Sequence, residues 1–209
     1  MNISFTTIPE DKKQRILNAA MQEFAAKGYA RASTNAIVLD AGIAKGLLFH
    51  YFGNKKQLFL YVYDYCIDLT LHEFYARLDQ QERDMFRKLS QVQAVKLELL
   101  SQYPRLYQFL QKAYLEQAVD VRDEVSQRVV RLLKVSMAQL FTDIDYKPFK
   151  PGIDPAQALK ILIWVLEGYT NELVARAEQS ENGQFAYEEA LQAMNQYLTL
   201  LQTCFYRQP

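Results

Sequence analysis

The sequence predicts an all-α protein of nine helices, and three observations carry that prediction. Only seven glycines and six prolines occur in 209 residues, so helix breakers are sparse. Apolar residues recur at spacings of three and four, the period of one helix face. No run of strict alternation bounded by turn residues announces a strand. With 50% hydrophobic and 13% aromatic residues, the chain can also build a substantial core.

Each element has a local reason. Ile16, Leu17, Ala20, Met21 and Phe24 share one face of a first helix, from about residue 11 to residue 27, which Gly28 ends. Ser33 caps a second helix through Asp40, because its hydroxyl accepts from an orphan amide. In "DAGIAKG" Gly42 stands where a tight turn needs positive φ. A third helix is expected over about 44–52, and Asn54, after Gly53, caps a fourth that runs to about Leu78. Further helices are expected at about 82–102, 104–117, 120–144, 154–180 and 184–206. Pro104 suits a first helical turn, and Asp120 and Asp154 suit caps. "DIDYKPFKPGIDP", with three prolines and a glycine, is the clearest long loop.

Charge narrows the function. Lysine plus arginine balance aspartate plus glutamate at 24 each, yet residues 1–56 hold eight basic and four acidic side chains. The remainder therefore holds sixteen basic and twenty acidic ones. A basic head on an acidic body suggests that the head meets a polyanion. Cys66 and Cys204 form neither a metal-ligand spacing nor a disulfide framework, and both are expected as buried thiols. The densest apolar run, "ILIWVLEGY", is far shorter than the ~20 residues a membrane span needs. A soluble, cytoplasmic protein without a membrane partner is expected, with no cofactor and no metal site.

Two short helices joined by a glycine turn, inside the basic segment, match a helix-turn-helix. The second helix must be small enough for the major groove and must turn some side chains to base edges while others bond phosphate. In helix 44–52, Leu48 is expected inward with Ile37 and Ile43, and Tyr51 or Phe52 against the next helix. Lys45, Gly46, Leu47, Phe49 and His50 then lie on the outer side. Gly46 costs helix stability but permits close approach of the backbone to DNA. Phe49 has a second reading as core, and Lys55 and Lys56 have one as a solvated helix start.

The segment "ILNAAMQEFAAKGYARASTNAIVLDAGIAKGLLFHYFGNKKQLF", residues 16–59, resembles the DNA-binding region of the TetR family of transcriptional regulators. The agreement runs in register through Phe24, Gly28, Tyr29, Ser33, Ile37, Ala41, Gly42, Ile43, Lys45, Gly46, His50, Tyr51, Phe52, Asn54, Lys55 and Leu58. The resemblance implies a nine-helix TetR-like fold, with a DNA-binding domain over 1–53 and an effector-binding and dimerisation domain over 54–209. It implies that Ser33, Thr34 and Asn35 lie near the DNA backbone, that Lys45, Gly46, Leu47 and Phe49 face bases, and that His50, Tyr51 and Lys55 contact phosphates. Ala44 and Phe49 stand where the family often has Ser and Tyr. Thymine-methyl contact is therefore expected to carry a larger share of recognition.

For the body, Tyr103, Tyr107, Leu110, Tyr114, Leu133, Met137, Phe141, Trp164 and Tyr169 are candidates for an aromatic effector pocket, apolar with a few polar handles. Glu116, Asp120 and Glu124 are read as solvated. Ile163 and Leu166 on the eighth helix, with Leu191, Met194, Leu198 and Leu201 on the ninth, are candidates for a homodimer interface. No Glu-x-x-His pair, phosphate loop or nucleophile elbow is present, so an enzyme is not expected. The reading is a repressor that binds a near-palindromic double-stranded operator as a homodimer and is released by a small, largely apolar or aromatic effector. The alternative is a DNA-bound adaptor or structural protein of the same fold, controlled by a protein partner.

Overall fold

A computed structural model describes Phe5, residues 7–179 and residues 187–207. Among these residues the chain forms nine α-helices: α1 (Glu10–Arg31), α2 (Thr34–Ala41), α3 (Lys45–Phe52), α4 (Lys55–Arg77), α5 (Met85–Gln102), α6 (Pro104–Tyr114), α7 (Val119–Leu140), α8 (Pro155–Gln179) and α9 (Tyr187–Phe205). The expected start of the last helix, residues 184–186, lies outside the described residues.

Most helix ends follow the local signals. α1 breaks at Gly28, whose φ of 69° is left-handed, and resumes for one short turn to Arg31. Ser33 Oγ accepts from Ala36 N at 3.4 Å to open α2, and Gly42 closes it at φ 64°. Asn54 Oδ1 accepts from Gln57 N at 2.9 Å, and Asp154 Oδ1 from Ala156 N at 2.9 Å. Asp120 is not a cap: α7 starts one residue earlier, and Glu116 Oε1 accepts from Ala118 N at 3.0 Å at that end. α7 also ends at Leu140, four residues short of expectation, because Phe141 and Ile144 turn into core positions.

The chain divides into two compact units. The first comprises residues 1–76 and 99–138, so the boundary expected at 53/54 falls inside it. Its core joins Ile16, Leu17 and Phe24 of α1, Ile37 of α2, Leu48 of α3, Leu58 and Phe59 of α4, and Phe109 of α6, all at most 1% exposed. Phe24, Phe59 and Phe109 pack ring on ring with centroids 5.0 to 6.2 Å apart, in the range of favourable edge-to-face contact. Phe5, fully buried, sits 4.6 Å from the Phe52 ring and 5.2 Å from Tyr61. Cys66 is buried here, which pushes its thiol up to about 12.

The second unit comprises residues 77–98 and 139–209. Its proline-rich loop is tied to the end of α9. Phe149 and Tyr206 form an antiparallel bridge, Lys150 N donates to Phe205 O, and Arg207 N donates to Pro148 O, both at 2.9 Å. Phe86 of α5 and Phe149 each meet the Tyr206 ring at 4.9 Å. Cys204, expected as a buried thiol, is exposed, because it lies on the outer side of α9. No described helix is long and apolar enough to cross a membrane.

Candidate nucleic-acid interface

The helix-turn-helix is built by α2, the Gly42 turn and α3. Ile43 N donates to Val38 O at 3.0 Å, which fixes the angle at which α3 leaves the turn. Leu48 and Phe52 of α3 are buried, while Lys45, Gly46 and His50 are exposed. Phe49 is half-buried, with the Lys45 ammonium 5.9 Å from its ring centroid. Leu47, expected on the outer side, is half-buried and packs partly against the core. Tyr51 is 7% exposed, and its ring meets Phe5 at 5.4 Å. It belongs to the core of the head rather than to an open reading edge. Ser33 and Thr34 are half-buried and Asn35 is exposed at the start of α2. Leu39, 83% exposed on α2, is an apolar side chain beside this edge that helical periodicity did not single out. Ala44 gives α3 no side-chain cap, so the first amides of that helix face outward without a hydroxyl from their own chain.

Lys55, expected at phosphate, is fastened within the head. Its Nζ donates to Ala30 O at 3.1 Å and Ala32 O at 3.2 Å and stands 4.8 Å above the Tyr29 ring. That arrangement satisfies carbonyls at the C-terminal end of α1 and leaves one ammonium N–H for an outside acceptor. Glu23 accepts from Ser33 N at 2.8 Å and from Lys27 at 2.9 Å. Burial opposes ionisation there, yet these bonds hold its carboxyl below the ordinary range.

Of the three acidic residues that spacing marks as solvated, Asp120 is exposed, while Glu116 and Glu124 make contacts. Glu116 Oε2 accepts from Tyr29 N at 2.6 Å, across the glycine break of α1. Lys56 pairs with Glu124 at 2.5 Å, and Arg128 pairs with Asp64 at 2.7 Å and Glu124 at 3.6 Å. The bond to Glu124 raises the Lys56 pKa, and the bond to Asp64 raises that of Arg128. Half-exposed pairs of this kind contribute little to stability, because water and salt screen them. Their effect is to hold α4 and α7 in register. Sequence spacing carried no sign of them, since the partners lie as many as 87 residues apart.

The effector candidates divide between the units. Tyr103, Tyr107 and Leu110 are half-buried against the core of the first unit, and Tyr114 is 54% exposed there. The side chains of Leu133 and Met137 lie outside the description. In the second unit Phe141 is buried, Trp164 is 58% exposed beneath Lys160, and Tyr169 stacks on Tyr197 at 5.4 Å. The dimer candidates also divide. Met194 and Leu198 are buried within the unit's own core, while Ile163, Leu166, Leu191 and Leu201 are half-buried. Among the described side chains, the large apolar ones left outward on α8 and α9 are Ile161, Trp164, Tyr197 and Leu200. No group of three or more potential metal ligands occurs among the described residues.

Two family models match the chain. Residues 16–62 match the DNA-binding domain of bacterial regulatory proteins of the tetR family. Residues 83–204, more than half the chain, match the tetracyclin repressor-like C-terminal domain. The chain belongs to the TetR family. It is thus a DNA-binding transcriptional regulator with a ligand-binding C-terminal domain, and not an enzyme. The HTH-type transcriptional repressor AcnR of Corynebacterium glutamicum is 35% identical over 60 residues, 29% of this chain and 32% of that protein. The match therefore spans about a third of the length of that curated relative. The nucleoid occlusion factor SlmA of a Marinomonas species is 22% identical over 160 residues, 76% of this chain and 80% of its own. The solved structure of FadR from Bacillus subtilis, in complex with stearoyl-CoA, has a TM-score of 0.60 at 17% identity, covering 91% of this chain and 97% of that one. That likeness is one of fold.

Proposed function

We propose that this regulator is a repressor that binds a near-palindromic operator as a homodimer in the cytoplasm and is released by a small, largely apolar or aromatic effector. The observation that carries the reading is the attachment of the DNA-facing head to body helices. Phe109 of α6 is fully buried against Phe24 and Phe59, and Glu116 holds the Tyr29 amide. A shift of α6 on effector binding is therefore felt directly by α1 and the helices packed on it. The effector then acts by population shift, favouring a head placement that no longer suits successive major grooves. The outward α8–α9 face of Ile161, Trp164, Tyr197 and Leu200 supports a second copy as partner.

A second reading has one observation in its favour: the SlmA relative matches three quarters of the chain and is named for nucleoid occlusion. It makes the protein a DNA-bound adaptor governed by a protein partner. Selecting bound fragments from the source genome, then screening compounds for release of the selected fragment, separates the two. A compound that releases DNA and raises the melting temperature supports the effector reading. Silence over a broad panel of metabolites and drugs sinks it and favours the adaptor.

A further inference from the structure

α3 is eight residues long, and a helix that short holds its place by packing rather than by its own hydrogen bonds. Its first end is set by the turn, where Ile43 N donates to Val38 O at 3.0 Å. Its last turn is set by rings. Tyr51 and Phe52 are 7 and 8% exposed, and both meet the ring of Phe5, at 5.4 and 4.6 Å. Phe5 is fully buried and also meets Tyr61 of α4 edge-on at 5.2 Å. Phe52 reaches Tyr61 directly at 5.4 Å, whereas the rings that Tyr51 meets are those of Phe5, His50 and Phe52. Among the described residues, Phe5 is therefore the ring that joins Tyr51 to α4. It stands ahead of α1 and outside both segments that match the family models, residues 16–62 and 83–204. The other three rings of the cluster lie within the first of these segments.

We infer that Phe5 is a positioning residue for DNA recognition: it wedges the last turn of α3 against α4 and so sets the angle at which the outer side of α3 meets base edges. This rests on the reading of α3 as the helix that faces DNA. His50, exposed on that side, has its ring 5.8 Å from the braced Tyr51. Emptying the Phe5 site leaves α3 held chiefly at the Gly42 turn. Over a length of about 12 Å, a tilt of about 10° moves the far end of the helix by about 2 Å. That exceeds the tolerance of a hydrogen bond to a base edge, whose donor–acceptor range spans about 0.5 Å. Attraction between a cation and phosphate falls off slowly with distance, so non-specific binding is spared.

The test uses the full chain with Phe5→Leu, Phe5→Val and Phe5→Ala. Each is titrated against the DNA fragment selected from the source genome and against an unrelated duplex of equal length, below the melting transition of every variant. Specific affinity should fall as the side chain shrinks, by about tenfold or more for Phe5→Ala, the scale of one lost base contact. Affinity for the unrelated duplex should stay nearly constant. Amide exchange at Gly53, which donates to Phe49 O at 2.8 Å at the end of α3, should quicken in the same order. Leu198→Ala empties a buried site in the second unit and is the control for lost stability alone. It should leave the ratio of specific to non-specific affinity unchanged. Where Phe5→Ala does not melt cooperatively, Phe5→Val is read by the same criteria. An unchanged ratio in the folded variant overturns the inference, as does an equal fall on both DNAs or an equal loss of ratio in Leu198→Ala. Phe49→Ala judges the reading of α3 separately. If it lowers specific binding and the Phe5 variants do not, the role of Phe5 falls alone. If neither lowers it, α3 loses its place as the reading helix and the role of Phe5 goes with it.

Discussion

Two apolar-crowded helices, α3 and α9, were read in the same way from sequence and fared differently. In α3 the inward and outward sides divide much as expected: Leu48 and Phe52 are buried and Lys45, Gly46 and His50 are open. In α9 the side chosen as an interface contains Met194 and Leu198, which are core within their own unit. The difference lies in how many faces each helix offers. α3 is eight residues long and carries charged or small residues on one side, so only one orientation buries its apolar groups. α9 carries two stripes: Ala190, Met194 and Leu198 on one, and Tyr197, Leu200 and Cys204 on the other. Periodicity finds both but cannot say which one the chain keeps for itself.

The largest effect should come from setting those two stripes against each other. Leu198→Ala empties a buried site and should destabilise folding by about 2–5 kcal/mol, seen as a lower denaturant midpoint. Leu200→Asp, at a site 60% exposed, should leave the fold intact and dissociate the proposed dimer in analytical ultracentrifugation. A dimer that survives Leu200→Asp would remove α9's outer stripe from the proposed interface. On α3, Phe49→Ala should weaken specific operator binding by about 1–3 kcal/mol while barely changing non-specific binding. Equal loss on both kinds of DNA would return Phe49 to a packing role. Gly46→Ala sharpens the comparison most finely. A Cβ at Gly46 meets nothing within 4 Å in the protein, so the substitution should stabilise α3 by up to about 1 kcal/mol. Its operator affinity should nonetheless fall, because the added methyl stands at the surface proposed to face DNA. Unchanged affinity in a titration of labelled operator would show that the backbone does not approach DNA there.

The sequence by itself determined the helical class, the helix-turn-helix and most of the helix boundaries. Those depend on interactions that close within a few residues: Ser33, Asn54 and Asp154 reaching the amides two or three positions on, and Gly28 and Gly42 taking a left-handed φ. Tertiary structure alone decided that Tyr51 is core, that Glu116 and Glu124 are contacts to α1 and α4, and that Lys55 is occupied by the carbonyls of Ala30 and Ala32. A side chain's local pattern fixes which face of its helix it occupies. What lies opposite that face depends on elements tens of residues away, and that determines whether a charge is solvated or paired.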